Sequence, residues 1–350
     1  LGSIIGGVKA ALDYNTENFG PYRHKELRIV EYPRTVGTYA TVMGNLMPYS
    51  ELYLIGDVSA DGVDLPYYVS AHETAHHWWG HQVNPANIRG AKMVTESMAE
   101  YVGLKVLEKR YGKPMIRRFL RNDLDVYLEG RANERGEETP LLTAYPHQEY
   151  INYQKGALIF YSLSDYLGEE KLNKVLAAYL EKYSFQGPPL PHSLGLRDAI
   201  ASIVPDSLSY LLTDYFETVT LYNNKTVKTE LEQLPDNSYL LHIQLQAGKF
   251  RSDGYGNRLY SANQRDSLSI TAPDGKIQYS LPLQDYIEIG VFGEEELDGE
   301  RLPIYLQKHR INSMDTTFSI PLKQKPVEAG IDPYHKLIDL QPEDNRRKVD

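Results

Sequence analysis

The run Ser70-Ala71-His72-Glu73-Thr74-Ala75-His76-His77-Trp78-Trp79-Gly80-His81-Gln82-Val83 decides how the rest of this sequence is read. It contains His-Glu-x-x-His, with His72 and His76 four positions apart. On a helix that spacing puts both imidazoles on one face, one turn from each other, where they can share a metal ion. Glu73 projects near the same ion without having to ligate it. The chemistry that suits this set is zinc-assisted hydrolysis: the ion polarises a carbonyl and activates water, and the carboxylate takes the water's proton. His77 and His81 repeat the spacing, but at 100° per residue they are rotated by about 140° from His72. One ion cannot serve both pairs. Glu73 favours the first, so His77 and His81 are expected to pack or support, and Trp78 and Trp79 to form core or cleft wall.

A catalytic zinc commonly has three protein ligands and an open position. The third donor is expected from a second helix packed on the first. Glu96 and Glu100 stand one turn apart on the next helical stretch, and periodicity alone lets either face the ion or lets both lie on a solvated face. Peptide hydrolysis also generates an oxyanion that needs a donor, for which a tyrosine hydroxyl would serve. With 28 tyrosines, composition does not choose one. His24, His147, His192, His242, His309 and His335 are scattered and read as surface or satisfied residues.

Composition bounds the alternatives. The chain has 350 residues, enough for two or three domains, with 41% hydrophobic and 24% charged residues, as in soluble globular proteins. No run approaches the roughly 18 apolar residues of a membrane span. A net charge of −10 argues against a nucleic-acid surface, and Arg346-Arg347-Lys348 reads as a solvated tail. There is no cysteine, so neither disulfides nor a Cys-based zinc site can form. This fits an extracytoplasmic location, with a cytoplasmic one as the alternative. The start at Leu1-Gly2-Ser3 reads as the beginning of a piece of a longer chain.

Along the chain, residues 1–20 carry a helical pattern that stops at Asn18-Phe19-Gly20-Pro21. Leu27–Tyr32, Gly37–Val42 and Glu51–Ile55 read as strands of a three- or four-stranded sheet with one exposed edge. Helices are predicted over Tyr67–Gln82, Met93–Tyr111, Met115–Glu129, Tyr150–Leu167, Glu169–Tyr183, Leu194–Ile203 and Ser207–Val219, with Arg131–Pro140 an exposed loop. After Leu221 the period changes to two. Leu241, Ile243, Leu245 and Ala247 alternate with polar residues, and Tyr286–Phe292, Ile304–Lys308, Thr317–Leu322 and Val327–Ile331 follow as strands. Pro235-Asp236-Asn237 and Pro273-Asp274-Gly275 are turn signals between them. The fold class is α+β: a mostly helical catalytic domain with a small β-sheet over residues 1–221, then an antiparallel β-sandwich with a C-terminal tail over residues 222–350.

These motifs resemble the gluzincin zinc aminopeptidases typified by aminopeptidase N. The resemblance rests on His72–Val83, on Thr95-Glu96-Ser97-Met98-Ala99-Glu100-Tyr101, and on Tyr153-Gln154-Lys155-Gly156, which matches the family's Y-x-K-G. It implies a thermolysin-like catalytic domain whose sheet edge lines the cleft and pairs with extended substrate. It implies one Zn²⁺ per chain held by His72, His76 and Glu96, with Glu73 as general base and Tyr153 stabilising the oxyanion. Residues 78–97, 155–170 and the closing 330–339 and 342–345 look like the peptidase module fused to bacterial ABC transporter permeases. That resemblance implies a parent embedded in a membrane through segments outside this chain. Two departures stand out. The interval between His76 and Glu96 is one residue longer than is usual in the wider family. The family's G-A-M-E-N loop is absent, and Val42 falls where its amine-binding glutamate would stand.

The leading expectation is a zinc metallopeptidase acting on peptides, probed by chelation and by replacement of Glu73. The alternatives are an endopeptidase of the same fold, which the missing glutamate leaves open, and a non-catalytic peptide-binding or scaffold module of a transporter. A scaffold would have little reason to keep His72, Glu73, His76, Glu96 and Tyr153 together.

Overall fold

The structure is a computed structural model, and it describes residues 1–54, 63–260, 268–271 and 277–349. The chain divides into two compact units: Leu1–Arg131 with Thr139–Leu212, and Ala132–Glu138 with Thr213–Asp350. Among the described residues no helix is long and apolar enough to cross a membrane.

The first unit is built on helices. α1 (Gly2–Phe19) buries Ile4, Val8, Ala11 and Phe19 and ends where Gly20 takes a φ of 99°. A two-stranded parallel sheet follows, β1 (Arg28–Tyr32) beside β2 (Leu46–Ser50), with Arg28 opposite Leu46. This corrects the expected three or four strands. Gly37–Val42 does not form a regular strand and reaches β2 only through an isolated bridge between Ala40 and Tyr49. Glu51–Leu54 is a short helix, α2, and Ile55 lies outside the described residues. β-propensity in that run yields to a helical turn directly after β2.

The helix bearing the motif is α3 (Leu65–Ala75), started by Asp64, whose side chain accepts from the Tyr67 N–H, and by Pro66 in the first turn. It lies so close to α1 that a Cβ on Gly7 would sit 2.3 Å from the Tyr67 carbonyl oxygen. α3 ends seven residues before the expected Gln82. His76 still has helical dihedrals (φ −59°, ψ −19°), which preserves its spacing from His72, and a turn with Gly80 at φ 130° follows.

The second expected helix is broken at Thr95 into α4 (Ala91–Val94) and α5 (Glu96–Tyr111). Thr95 (φ −107°, ψ −76°) departs from helical geometry, so Glu96 opens the first turn of α5. α6 (Ile116–Asn133) runs on through Arg131–Asn133, the start of the expected loop Arg131–Pro140; the rest of that segment is irregular and largely exposed as expected, although Glu138 and Thr139 are buried. Ile151–Lys155 forms a π-helical turn that runs into α7 (Gly156–Leu167). α8 (Glu169–Tyr183) and α9 (Ser193–Ala201) match the periodicity, with Leu172, Leu176, Tyr179 and Leu180 of α8 buried. The expected helix over Ser207–Val219 breaks up into a 3₁₀ turn, the three-residue α10 (Tyr210–Leu212) and a π turn, and Val219 already belongs to a strand.

The second unit is antiparallel, as the period-two pattern requires. Its strands are β3 (Val219–Tyr222), β4 (Lys225–Gln233), β5 (Tyr239–Gln246), β6 (Lys249–Ser252), β7 (Arg258–Leu259), β8 (Leu268–Thr271), β9 (Ile277–Ser280), β10 (Asp285–Leu297), β11 (Glu300–Ile311), β12 (Asp315–Leu322), β13 (Glu328–Ile331) and β14 (Arg346–Lys348). They form sheets ordered β11-β10-β13-β14, β12-β5-β4, β3-β6-β7 and β8-β9. Leu241, Ile243 and Leu245 of β5 share one core with Ile287, Ile289 and Val291 of β10 and with Ile320 of β12. The β4–β5 turn uses Pro235-Asp236-Asn237, with Asn237 at φ 65°, whereas Pro273-Asp274-Gly275 lies outside the described residues.

The basic C-terminus is not a solvated tail. Arg346–Lys348 pairs with β13, Arg346 lies 2.5 Å from Glu328, and its guanidinium sits 3.9 Å from the Phe292 ring centroid. Desolvated opposite charge makes that edge position favourable for arginine.

Lys249 ties three parts of this unit together. Its ammonium is 2.9 Å from both Asp214 and Asp285, and all three side chains are at most 7% exposed. Removing the cation leaves two buried carboxylates short of a partner. Lys249→Met should therefore cost about 3–5 kcal/mol of stability, read as a lower urea midpoint at unchanged slope. A midpoint equal to wild type would mean the triad contributes nothing.

Candidate active site

α3 and α5 pack against each other, and their contact brings the sequence-predicted donors together. His72 Nε2 and His76 Nε2 are 3.1 Å apart, and Glu96 Oε2 lies 3.4 Å from the first and 3.3 Å from the second. Donors about 2.0–2.1 Å from a tetrahedral zinc would be separated by roughly 3.4 Å. The triangle therefore fits an ion of that size without rearrangement. It is the one group of three or more His, Cys, Asp or Glu residues among the described residues whose donor atoms converge this closely. Two nitrogens and one carboxylate oxygen are also a zinc-type donor set.

Each imidazole is fixed from behind. His76 Nδ1 is 2.9 Å from the Trp79 carbonyl oxygen, so the turn after α3 places the proton on Nδ1 and leaves Nε2 facing the other donors. His72 Nδ1 lies 2.9 Å from Glu100 Oε1, an ion-pair contact without hydrogen-bond geometry that sets this carboxylate behind the second ring. Glu100 in turn accepts a short hydrogen bond from the Tyr68 hydroxyl. The sequence left Glu96 and Glu100 equivalent. The first-turn position of Glu96 puts it on the donor triangle, and the next turn puts Glu100 behind His72.

Electrostatics follow from burial and crowding. Burial disfavours the charged form of His76, but the hydrogen bond and charge of Glu96 and the charge of Glu73 more than offset this, and its pKa is pushed up to about 9. Glu96 is itself held well below the usual carboxylate range: burial opposes ionisation, and hydrogen bonds and charge from both histidines prevail. Burial pushes Glu73 above the ordinary carboxylate value, partly countered by His72 and His76. An acid-rich pocket that holds a proton this firmly is also suited to hold a cation.

Tyr153 comes from the π-helical turn, an irregularity frequent at functional sites. Its ring stacks on His72 at 5.8 Å between centroids and 11° between planes. Burial, then the charge and hydrogen bond of Glu96, push the phenol pKa up, so it remains a neutral donor. The turn is seated by close contact: the Ser97 hydroxyl donates to the Asn152 carbonyl at 2.6 Å, and a Cβ on Gly156 would lie 2.2 Å from Ser97 Oγ. Glycine in the Y-x-K-G match is what lets α7 approach α5.

His72, Glu73, His76, Glu96, Glu100 and Tyr153 border one open cleft of about 720 Å³, with Thr38–Val42 along another side. Val42 is 9% exposed and offers a hydrocarbon surface there. The β unit has a groove of about 800 Å³, but its lining contains no histidine. His77 is buried, with Nδ1 2.9 Å from the Thr74 carbonyl oxygen, and burial pushes its pKa down to about 4. His81 and His24 lie beside it, with ring centroids 5.5 and 5.8 Å away. His24 was not expected in this group. Trp78 and Trp79 are fully buried core. Sequence reasoning missed Tyr68 and Asp123, which also line the cleft.

The chain belongs to peptidase family M1: the model of the peptidase family M1 domain matches residues 7–189, more than half of its length. It is 29% identical over 150 residues to human endoplasmic reticulum aminopeptidase 2, covering 40% of this chain and 15% of that protein. It is 26% identical over 190 residues to rice (Oryza sativa subsp. japonica) aminopeptidase M1-D, covering 51% of this chain and 21% of that protein. The crystal structure of Legionella pneumophila aminopeptidase A in complex with aspartic acid shares the fold, with a TM-score of 0.53 and 14% identity, over 96% of this chain and 34% of that one. The chain thus spans about a third or less of the length of these relatives.

Proposed function

We propose that this chain is the catalytic part of a zinc metallopeptidase that cleaves peptides in the manner of an aminopeptidase. The observation that carries the reading is the donor triangle of His72, His76 and Glu96, with Glu73 and Tyr153 on the same cleft. A zinc ion held there would supply Lewis-acid polarisation of the scissile carbonyl and of water. Glu73 accepts the proton of the attacking water and delivers it to the leaving amine. Tyr153, kept neutral by its surroundings, donates a hydrogen bond to the carbonyl oxygen as it gains negative charge. Tyr68 and Glu100 hold the His72 ring in register during this cycle.

Val42 supports a second reading in which a free amino terminus is not obligatory, because the carboxylate that would bind it is replaced by hydrocarbon. Endopeptidase or short-peptide hydrolase activity follows from that reading. The wider setting, an extracytoplasmic domain of a membrane-embedded transporter parent, is proposed on the permease-fusion resemblance alone.

The test is digestion of a peptide library with free and N-acetylated ends, with and without chelator. The expected result is cleavage that a chelator abolishes and zinc restores. Cleavage indifferent to chelator would end the metallopeptidase reading, and equal cleavage of acetylated peptides would remove obligatory amine recognition.

A further inference from the structure

Lys92 is a cation at the edge of the site that the hydrolytic steps do not use. It stands on α4, four residues before the metal donor Glu96, and its ammonium nitrogen lies 5.3 Å from the centre of the Tyr153 ring. An ammonium at that distance is attracted by the negative charge of the π face. The Lys92 side chain is half-buried and makes no ion pair or hydrogen bond among the described residues, so the ring is its partner there.

The local fold explains the pairing. In an unbroken helix Lys92 and Glu96 would lie on one face and form an ion pair. The break at Thr95 (φ −107°, ψ −76°) parts α4 from α5, and the two side chains do not pair. α4 is seated from behind: Gly90 before it takes a φ of 81°, and a Cβ there would lie 2.1 Å from the Leu142 carbonyl oxygen. Tyr153 is placed by the π turn and by its stack on His72. Its hydroxyl lies in the field of Glu96, Glu100 and Glu149. Those charges oppose the negative charge that grows on the substrate carbonyl oxygen, and Lys92 acts on the same ring with the opposite sign.

We propose that Lys92 is a positioning residue for peptide hydrolysis: its ammonium holds the Tyr153 ring and polarises the phenol O–H toward the developing oxyanion. This deepens the peptidase reading and rests on it. A cation against the ring draws electron density away from the hydroxyl, which makes the O–H a stronger donor. No bond to Lys92 forms or breaks, and its proton stays where it is. The stabilisation grows as the carbonyl oxygen gains charge, so it belongs to the transition state and appears in kcat rather than in KM.

Kinetics and NMR on the full chain test this. With zinc supplied, Lys92→Met should lower kcat for the peptide cut fastest in the library digest by about 3- to 30-fold, with KM within about twofold of wild type. Lys92→Arg keeps a cation at the ring and should recover most of the loss. In a Tyr153→Phe background Lys92→Met should change kcat by less than about twofold, because the hydroxyl through which it acts is gone. In the zinc-free protein labelled with ¹³C-tyrosine, the Tyr153 ring resonances, identified by their absence in Tyr153→Phe, should move in Lys92→Met and return toward wild type in Lys92→Arg. An unchanged kcat in Lys92→Met, an equal loss in the Tyr153→Phe background, or unmoved Tyr153 resonances overturns the proposal. Where Tyr153→Phe is too slow to follow, a loss in Lys92→Met that Lys92→Arg does not recover overturns it as well. Failure of the peptidase reading looks different: no peptide is cleaved, while the Tyr153 resonances still respond to the change at Lys92.

Discussion

Replacing Glu73 with glutamine should leave about one zinc bound per chain and slow peptide hydrolysis by roughly 10²- to 10⁴-fold. The substitution keeps the shape of the side chain and removes the basic oxygen. Glu73 lies on α3 between the two histidine donors but outside the donor triangle, so metal content should hold while proton transfer is lost. Burial raises the affinity of this carboxylate for a proton, which suits it to take one from water and give it up again. Michaelis constants should change little, because a proton acceptor acts in the transition state more than in substrate binding. Single-turnover rates alongside metal analysis check this. A variant that keeps the wild-type rate would remove Glu73 from the mechanism, and one that loses the metal as well would make its role structural.

Much of this site was legible because its chemistry is local. His72, Glu73 and His76 need only one helical turn to meet, and that turn survives although α3 ends at Ala75. The early end was not legible: no glycine or proline intervenes before Gly80, and the helix stops because the chain turns back to place the Trp79 carbonyl on His76. The choice of Glu96 over Glu100 depended on a break at Thr95 that periodicity does not register, so family resemblance did what spacing could not. Tyr153 was also found by resemblance, and the π turn that presents it carries no composition signal of its own. Asp123 did leave a trace in the sequence, as a carboxylate at an apolar position of α6, but a single acid among leucines reads as noise until a cleft is seen beside it. In the second unit, alternation placed β5 correctly, since Leu241, Ile243 and Leu245 are buried and Gln244 is exposed. Arg346–Lys348 failed the same test because a charged edge strand has no apolar face to read; its pairing is decided by Glu328 and Phe292, far away in sequence.

Glu96→Gln should separate metal binding from proton transfer in the opposite sense to Glu73→Gln. Glu96 Oε2 is nearly equidistant from the two imidazole nitrogens, at 3.4 and 3.3 Å, and supplies the one anionic donor of the triangle. An amide keeps the length of the side chain but removes the charge, and it presents a neutral oxygen to a dication in a largely buried site. Loss of a residue that merely orients a ligand typically costs 10- to 100-fold in metal affinity, so loss of the charged ligand should cost about 100-fold or more. Purified Glu96→Gln is expected to contain well under one zinc per chain and to show almost no hydrolysis, with partial recovery in excess zinc. A competition titration against a chromogenic chelator measures the affinity directly and does not depend on turnover. The variant also removes the group that holds the His76 proton, so His76 should titrate lower in the metal-free protein, which imidazole NMR resonances would report. Zinc affinity equal to wild type would place the third ligand elsewhere. Glu100, 2.9 Å behind His72, would then be the next carboxylate to replace.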